Sequence, residues 1–482
     1  PQREALPRVV RRVYIAVAIA IAATLVVIEC SDLVSPYLVV MSAGTFARWM
    51  CWVCLPWLWM AGRWLLRPPA APHDRAAGWS RPIVVAGVVV IAFYAVATAR
   101  VNDYFGGNYS GLLVVSRSAF VNNPLVAERS DVRNSVVLQD VGYDGQFMYF
   151  AMFDPFLRRF SDNPATYRRV MDAPPYRYGR IGFPLLTLIA SGGQWPRFPI
   201  VMMWLILCGI GLFAVLLARM AQDAGVTPAV GGLALLIPGF WQSIQLSLPE
   251  PIAAATLLAG ILCASQRRWW PAAALFAVSM LTRETGIIAI ACVLTADAMR
   301  GRWRPALLVG ASAAGVVLLW RAYVAWTLFP DWGIQGLLFH PPDLGLPFAG
   351  IADLWRAVLR GDYHPGVPDM HRAAIAYPLV LMSGFALAVV LAIRLPHAWH
   401  VAAVVYGLIA ISLNLPAIWV HVSNAQRGTF ELFVMLALSA LTMRQYSRRL
   451  GIAVAAFWAI SFLYVFFLGY DAGYIRSVLP LI

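Results

Sequence analysis

Apolar residues run through this chain in long blocks, separated by polar stretches that carry most of its arginines. A helix needs roughly 20 mostly apolar residues to cross the hydrocarbon layer of a membrane. Blocks of about that size fall at 13–29, 38–62, 82–99, 197–218, 227–246, 250–266, 305–329, 374–394, 398–418, 428–444 and 451–470. The pattern predicts an all-α polytopic membrane protein with about eleven full transmembrane helices. Two shorter runs, 271–282 and 286–298, flank the polar segment Arg283-Glu284-Thr285-Gly286. At 1.5 Å per residue each is only about 18–20 Å long. They read as a half-height hairpin over 271–298 that rises into the membrane and returns.

Composition changes the picture little. Of 482 residues, 61% are hydrophobic and 12% charged, where soluble domains carry about 25% charged. Most soluble enzyme folds and intrinsic disorder are excluded on these numbers. The net charge is +14 and every basic residue is arginine, which fits a GC-rich coding sequence. In a soluble protein such charge would suggest nucleic acid; here no nucleic-acid partner is expected, because the charge follows the positive-inside rule. With the N-terminus in the cytosol, the cytosolic connections hold 18 arginines against Glu4, Asp74, Asp223 and Asp297. The expected location is therefore a bacterial inner membrane. Arg11-Arg12 anchors a first helix that lacks a small-residue cleavage site. Cys51 and Cys54 form a C-x-x-C inside a Trp-rich apolar span, where packing is the better reading than redox chemistry.

This layout divides the chain into five parts. Residues 1–99 hold three helices, the first two a possible added hairpin. Residues 100–196 form a long exoplasmic loop, 197–329 a transmembrane core with the hairpin, 330–373 a second exoplasmic loop, and 374–482 the C-terminal helices. A 97-residue loop is too long for a passive connector. Within it, Phe147, Phe150, Phe153 and Phe156 repeat at intervals of three, the pattern of a helix over 144–160 lying in the membrane interface. The apolar run 181–192 suggests a second interfacial or re-entrant piece.

Ionisable residues inside membrane spans are costly and mark candidate functional positions. Arg48, Glu250, Arg283, Glu284, Arg321 and Glu431 meet that description, with His421 and Arg427 at an exoplasmic helix mouth. Arg283 and Glu284 either pair with each other to hold the turn or offer an anion site, since arginine presents a planar fork to phosphate oxygens. In the first loop, Gly142-Tyr143-Asp144-Gly145-Gln146-Phe147 sets an acid between small residues, where it can accept a proton from a hydroxyl or simply make a turn. Arg177 and Arg180 share a helical face and can grip one phosphate or anchor the interface. There is no Walker loop, H-E-x-x-H, G-x-S-x-G or exoplasmic D-x-D. No cofactor is expected and no motif calls for a divalent metal. The group His364, Asp369 and His371 reads as a solvated loop.

Four of these segments together resemble the GT-C superfamily of integral-membrane glycosyltransferases. GYDGQF, 142–147, is similar to the catalytic element of the first exoplasmic loop, with an aromatic helix and Asp154-Pro155 behind it. RYGRIGFPLL, 177–186, resembles the R-Y-x-R-x-x-x-P-L-L element. Leu248-Pro249-Glu250-Pro251 opens a helix as a T/P-E-P element does, and LTRETG, 281–286, resembles L-x-[RK]-E-T-G. The resemblance covers about 100–300, with an echo at Arg427. It implies a GT-C-like fold and inverting transfer of a sugar from a polyprenyl-phosphate donor to a glycan, glycolipid or protein acceptor. Asp144 is the implied base. Arg177, Arg180, Arg283 and Arg427 are candidates for the donor phosphate, and Tyr143, Gln146, Asp154, Glu250, Glu284 and His421 for other substrate contacts. One departure is that the catalytic loop follows the third helix rather than the first.

The alternative is a secondary transporter or flippase for a lipid-linked or anionic substrate. Such proteins use broken helices in matched repeats; the sequence offers one broken hairpin and no second to match it.

Overall fold

The computed structural model describes residues 79–127, 129–328, 344–364 and 367–479. The expected helices 13–29 and 38–62, with Cys51 and Cys54, lie outside the described residues. Helix dominates the rest. Its only strands, among the described residues, are the two-residue parallel pair Val115–Ser116 and Leu138–Gln139.

Five stretches are long and apolar enough to cross a membrane: Ser80–Phe105, Trp195–Asp223, Glu284–Leu328, Pro368–Arg394 and Arg448–Leu468. They match the blocks expected at 82–99, 197–218, 305–329, 374–394 and 451–470. The first helix, α1 (Ser80–Phe105), stops where Gly106 enters the left-handed region at φ 56°, which costs a glycine nothing.

Elsewhere the expected blocks are not single helices of spanning length. The block 227–246 splits at Ile237 into a 3-10 segment, Pro228–Leu236, and a short helix, because Pro238 has no N–H to continue the ladder. Block 250–266 is a helix of 16 residues, Glu250–Ser265. Block 398–418 stops at Ser412 before Pro416 restarts a single turn. Block 428–444 is a helix only over Phe430–Ser439 and then tightens to 3-10. Hydropathy measures how apolar a block is, and these blocks are apolar because neighbouring protein buries most of their residues.

The hairpin forms where the polar interruption predicts it. Helices Trp269–Thr282 and Ile287–Asp297 meet at Arg283, whose backbone is extended (φ −155°, ψ 113°), followed by the 3-10 turn Glu284–Gly286. Its tip reaches the start of the 250–265 helix, where Ser279 Oγ donates to the Ala253 carbonyl at 2.9 Å.

The first loop is folded, and one expectation about it fails. The helix at its centre, α2 (Asp144–Ala151), has eight residues and does not extend to 160. Phe150 is fully buried, and Tyr149, Phe153 and Phe198 pack edge to face on one another at 5.2–6.2 Å. The stripe thus packs into the loop's own core, and of its four rings only Phe156 is exposed. Two more helices follow, α3 (Pro174–Gly179) and α4 (Gly182–Ala190). The second packs so closely on the hairpin that a Cβ at Gly182 would stand 2.6 Å from Thr282 Oγ1.

In the core, the helices that frame the site are numbered on in chain order. They are α5 (Glu250–Ser265), α6 (Trp269–Thr282), α7 (Ile287–Asp297), α8 (Trp303–Leu328), α9 (Val422–Gly428) and α10 (Phe430–Ser439).

Candidate functional site

Short helices point their ends at one place. Asp144 stands in the first turn of α2, Glu250 in that of α5, Glu431 in that of α10, and Glu284 opens the 3-10 turn at the hairpin tip. Arg177 ends α3 and Arg427 ends α9. Acids at helix N-termini and cations at C-termini both complement the helix dipole, so each group is favoured where it sits before it meets a partner.

The partners then link into one network. Asp144 Oδ2 meets the guanidinium of Arg427, and Arg177 Nη1 lies 2.7 Å from the same oxygen. That second approach is a charge contact off the hydrogen-bond axis, since Nη1 makes no hydrogen bond. The rest of the Arg177 fork is fixed by Asp172, both bonds being 2.9 Å. Arg427 is fixed through Nε on Glu250 Oε1 at 2.6 Å. Glu250, fully buried, shares the same oxygen with Arg283 Nη1 at 2.9 Å and accepts from Ser243 Oγ at 3.2 Å.

Arg283 also donates to Glu431 Oε1 at 2.6 Å and to the Arg427 carbonyl at 3.2 Å. It does not pair with Glu284, its sequence neighbour. Glu284 takes a two-pronged bond from Arg180 at 2.6 and 2.8 Å. Aromatic rings lie under the cations: Phe147 under Arg177 at 4.5 Å, Tyr176 under Arg180 at 4.1 Å, Phe430 under Arg283 at 4.9 Å and Tyr143 under Arg427 at 5.9 Å. Such contacts gain in strength where water is excluded.

The electrostatics of Asp144 follow from this arrangement. Burial raises its carboxyl, but Arg427 and Arg177 outweigh burial and hold it well below the usual carboxylate range. It is ionised at neutral pH and, while both arginines face it, a weak base. Its backbone position is equally constrained. A Cβ at Gly145 would stand 2.4 Å from the Leu246 carbonyl oxygen and 2.9 Å from that of Leu113. The small residue beside Asp144 serves packing of the loop on the helices.

Other candidates lie apart from the network. Gln146 Oε1 accepts from the Ser116 N–H at 3.1 Å and braces the strand pair. Asp154 accepts the N–H groups of Arg158 and Arg159 at 2.9 Å and the Tyr167 hydroxyl, all within the loop. His421 bonds Ser423 at the start of α9, and burial, with His364 beside it, pulls its imidazole down to about 4, so it is neutral at pH 7. Tyr143 reaches Asn424 through its hydroxyl. His364, Asp369 and His371 do not converge: the two rings face backbone carbonyls, and Asp369 pairs with Arg372 at 2.8 Å. Among the described residues no group of three His, Cys, Asp or Glu is arranged to hold a metal ion.

The sequence reading gave three members no part in the site. Glu431 had a signal, an acid inside an apolar block, but no partner to name. Asp172 and Tyr176 had none, being ordinary loop residues until the fold seats them against Arg177 and Arg180. In comparisons with known proteins, no protein-family model, curated protein or solved structure matches this chain.

Proposed function

We infer that this chain is an inverting membrane glycosyltransferase that moves a sugar from a polyprenyl-phosphate donor to an acceptor hydroxyl on a glycan, glycolipid or protein. The observation that carries the reading is the meeting of Asp144, from the polar loop, with Arg177 and Arg427 at the ends of short helices beside the apolar core. A donor with a lipid tail and a phosphate-linked sugar needs such a junction. So does an acceptor arriving from water.

The chemistry asks for one carboxylate and nearby cations. As the acceptor oxygen attacks the sugar's anomeric carbon, its proton passes to Asp144. The bond from that carbon to the phosphate oxygen breaks with its electron pair leaving on the phosphate, where arginine stabilises the new charge. Asp144 occupies both cations in the resting state. A phosphate that takes Arg177 Nη1 and Arg427 leaves the carboxylate uncompensated and therefore more basic. Arg177 stays in place through Asp172, and Arg427 through Glu250. The base is thus strengthened when the donor is bound.

Membrane spans and a loop face that is exoplasmic, in a bacterial inner membrane, complete the proposal. It is tested with purified chain in liposomes carrying a polyprenyl-phosphate sugar and a membrane extract as acceptor source. Release of polyprenyl phosphate without nucleotide supports it. Turnover of a nucleotide sugar with no lipid donor, or movement of the intact donor across the bilayer without cleavage, overturns it.

A further inference from the structure

Every arginine of the network already faces an acid. Arg177, Arg180, Arg283 and Arg427 are matched by Asp144, Asp172, Glu250, Glu284 and Glu431. A phosphate entering there must displace a carboxylate. Arg321 differs. It is half-buried near the loop end of the spanning helix α8, and among the described residues it makes no hydrogen bond or ion pair. Its guanidinium lies over Gly179, with Nη2, Cζ and Nε 3.7, 3.9 and 4.0 Å from where a Cβ would be. Those near-equal distances put the flat face of the group against the backbone and leave its N–H edge to bind something else.

Charge and surface around it identify the partner's chemistry. Arg321 acts on Glu284, but that carboxylate is already gripped by both prongs of Arg180. At this end of the network Arg180 takes the carboxylate, and Arg321 has no carboxylate within hydrogen-bond reach among the described residues. On the side of the helix next to Arg321, Leu318 and Leu307 are bare, at 60% and 65% exposed. A guanidinium with no hydrogen-bonded partner in or beside a membrane span is costly, and the apolar surface beside it asks for apolar cover. A molecule with an anionic head and a long apolar tail satisfies both.

We propose that Arg321, seated over Gly179 beside the Arg180–Glu284 pair, is a docking site for the phosphate of a lipid monophosphate whose tail lies along the exposed face of α8. Trp320 fixes the wall of this site by donating Nε1–H to the Tyr178 carbonyl at 2.7 Å, which ties α8 to α3. The purpose of the site, delivering donor to Asp144, rests on the function proposed above; its binding chemistry does not.

The test measures binding without turnover. The full chain in nanodiscs of zwitterionic lipid is titrated with a long-chain prenyl monophosphate, with the corresponding prenyl alcohol, and with inorganic phosphate as competitor. The expected result is that the monophosphate binds and the alcohol does not, while inorganic phosphate fails to compete at matching concentration. Loss of a charge-assisted bond weakens binding by about tenfold to a hundredfold, so Arg321→Ala falls by that factor. Arg321→Lys recovers most of it, and Arg372→Ala, which removes an outer ion pair, leaves it unchanged. Wild-type affinity in Arg321→Ala, or equal binding of the alcohol, overturns the site. Competition by inorganic phosphate overturns its lipid character. Binding that depends on Arg321 in a chain that transfers no sugar would sustain the site and sink the enzyme reading alone.

Discussion

At the scale of single residues, the cluster contains charges that cannot be removed one at a time. Glu250 is fully buried between Arg283 and Arg427. Breaking a buried pair from one side leaves an uncompensated charge and costs about 3–5 kcal/mol. Glu250→Ala should therefore lower thermal stability sharply in detergent, whereas Asp353→Ala, an exposed partner of Arg356, should change it little. Arg283 falls under the same rule, since it holds two acids and the end of α9; Arg283→Ala should destabilise the fold as well as the site.

Asp144 adds a pH signature with a definite sign. Its carboxyl is held below its unfolded value, so its contribution to stability is present above the ordinary carboxylate range and is lost as pH falls through the folded value. Wild-type chain should lose melting temperature at acid pH, and Asp144→Asn should lose less over the same window. Equal acid sensitivity in both would mean that the arginines do not grip Asp144 as described.

How a residue's partner is found explains what the sequence revealed and what it hid. Glu250, Glu431, Arg283 and the break before Glu284 stand out because charge is rare in apolar blocks. Their pairing was hidden. Arg427 and Asp144 are 283 positions apart, and Arg283 passes over adjacent Glu284 to reach Glu431, 148 positions on. Adjacent residues on an extended backbone point to opposite sides, so neighbours at the hairpin tip are separated into two different pairs.

At the scale of elements, close backbone contacts hold the loop on the helices. The contact at Gly145 leaves no room for a methyl group, and nor does the one at Gly182 against Leu281 and Thr282. Gly145→Ala and Gly182→Ala should each cost about 1–3 kcal/mol by overpacking, seen as a lower melting temperature. Gly145→Ala should also shift Asp144 and reduce activity more than its stability cost accounts for; an active, merely less stable Gly145→Ala would separate loop docking from chemistry. Long apolar helices were legible element by element, and so was the hairpin break. The aromatic stripe from Phe147 was not, because periodicity shows that one face is apolar without saying whether lipid or protein covers it.

At the scale of the whole molecule, the described chain is an all-helical protein of membrane type. Its charged network lies where a folded polar loop meets the ends of short buried helices. Breaks at Ile237, after Ser412 and at Arg283 interrupt otherwise apolar stretches. Irregular backbone at membrane depth is tolerated where protein or a water-filled cavity surrounds it, and the break at Arg283 puts its guanidinium on Glu250 and Glu431, with Arg427 linking Glu250 to Asp144. The hydropathy plot merged such pieces into full spans, since it has no means to see that a short helix is covered by its neighbours.

The central claim is that Asp144 takes the proton. The measurement that tests it most directly is donor turnover by wild type, Asp144→Asn and Asp154→Asn, each shown to be monodisperse. Asparagine keeps the size of the side chain but is not a base, and loss of a general base costs about 10²–10⁴ in rate. Asp144→Asn is expected to fall by that factor with donor binding retained. Asp154→Asn, which loosens the loop around Arg158 and Tyr167, is expected to show a smaller loss that tracks stability. Near-normal turnover by Asp144→Asn beside an inactive but folded Asp154→Asn would contradict the claim.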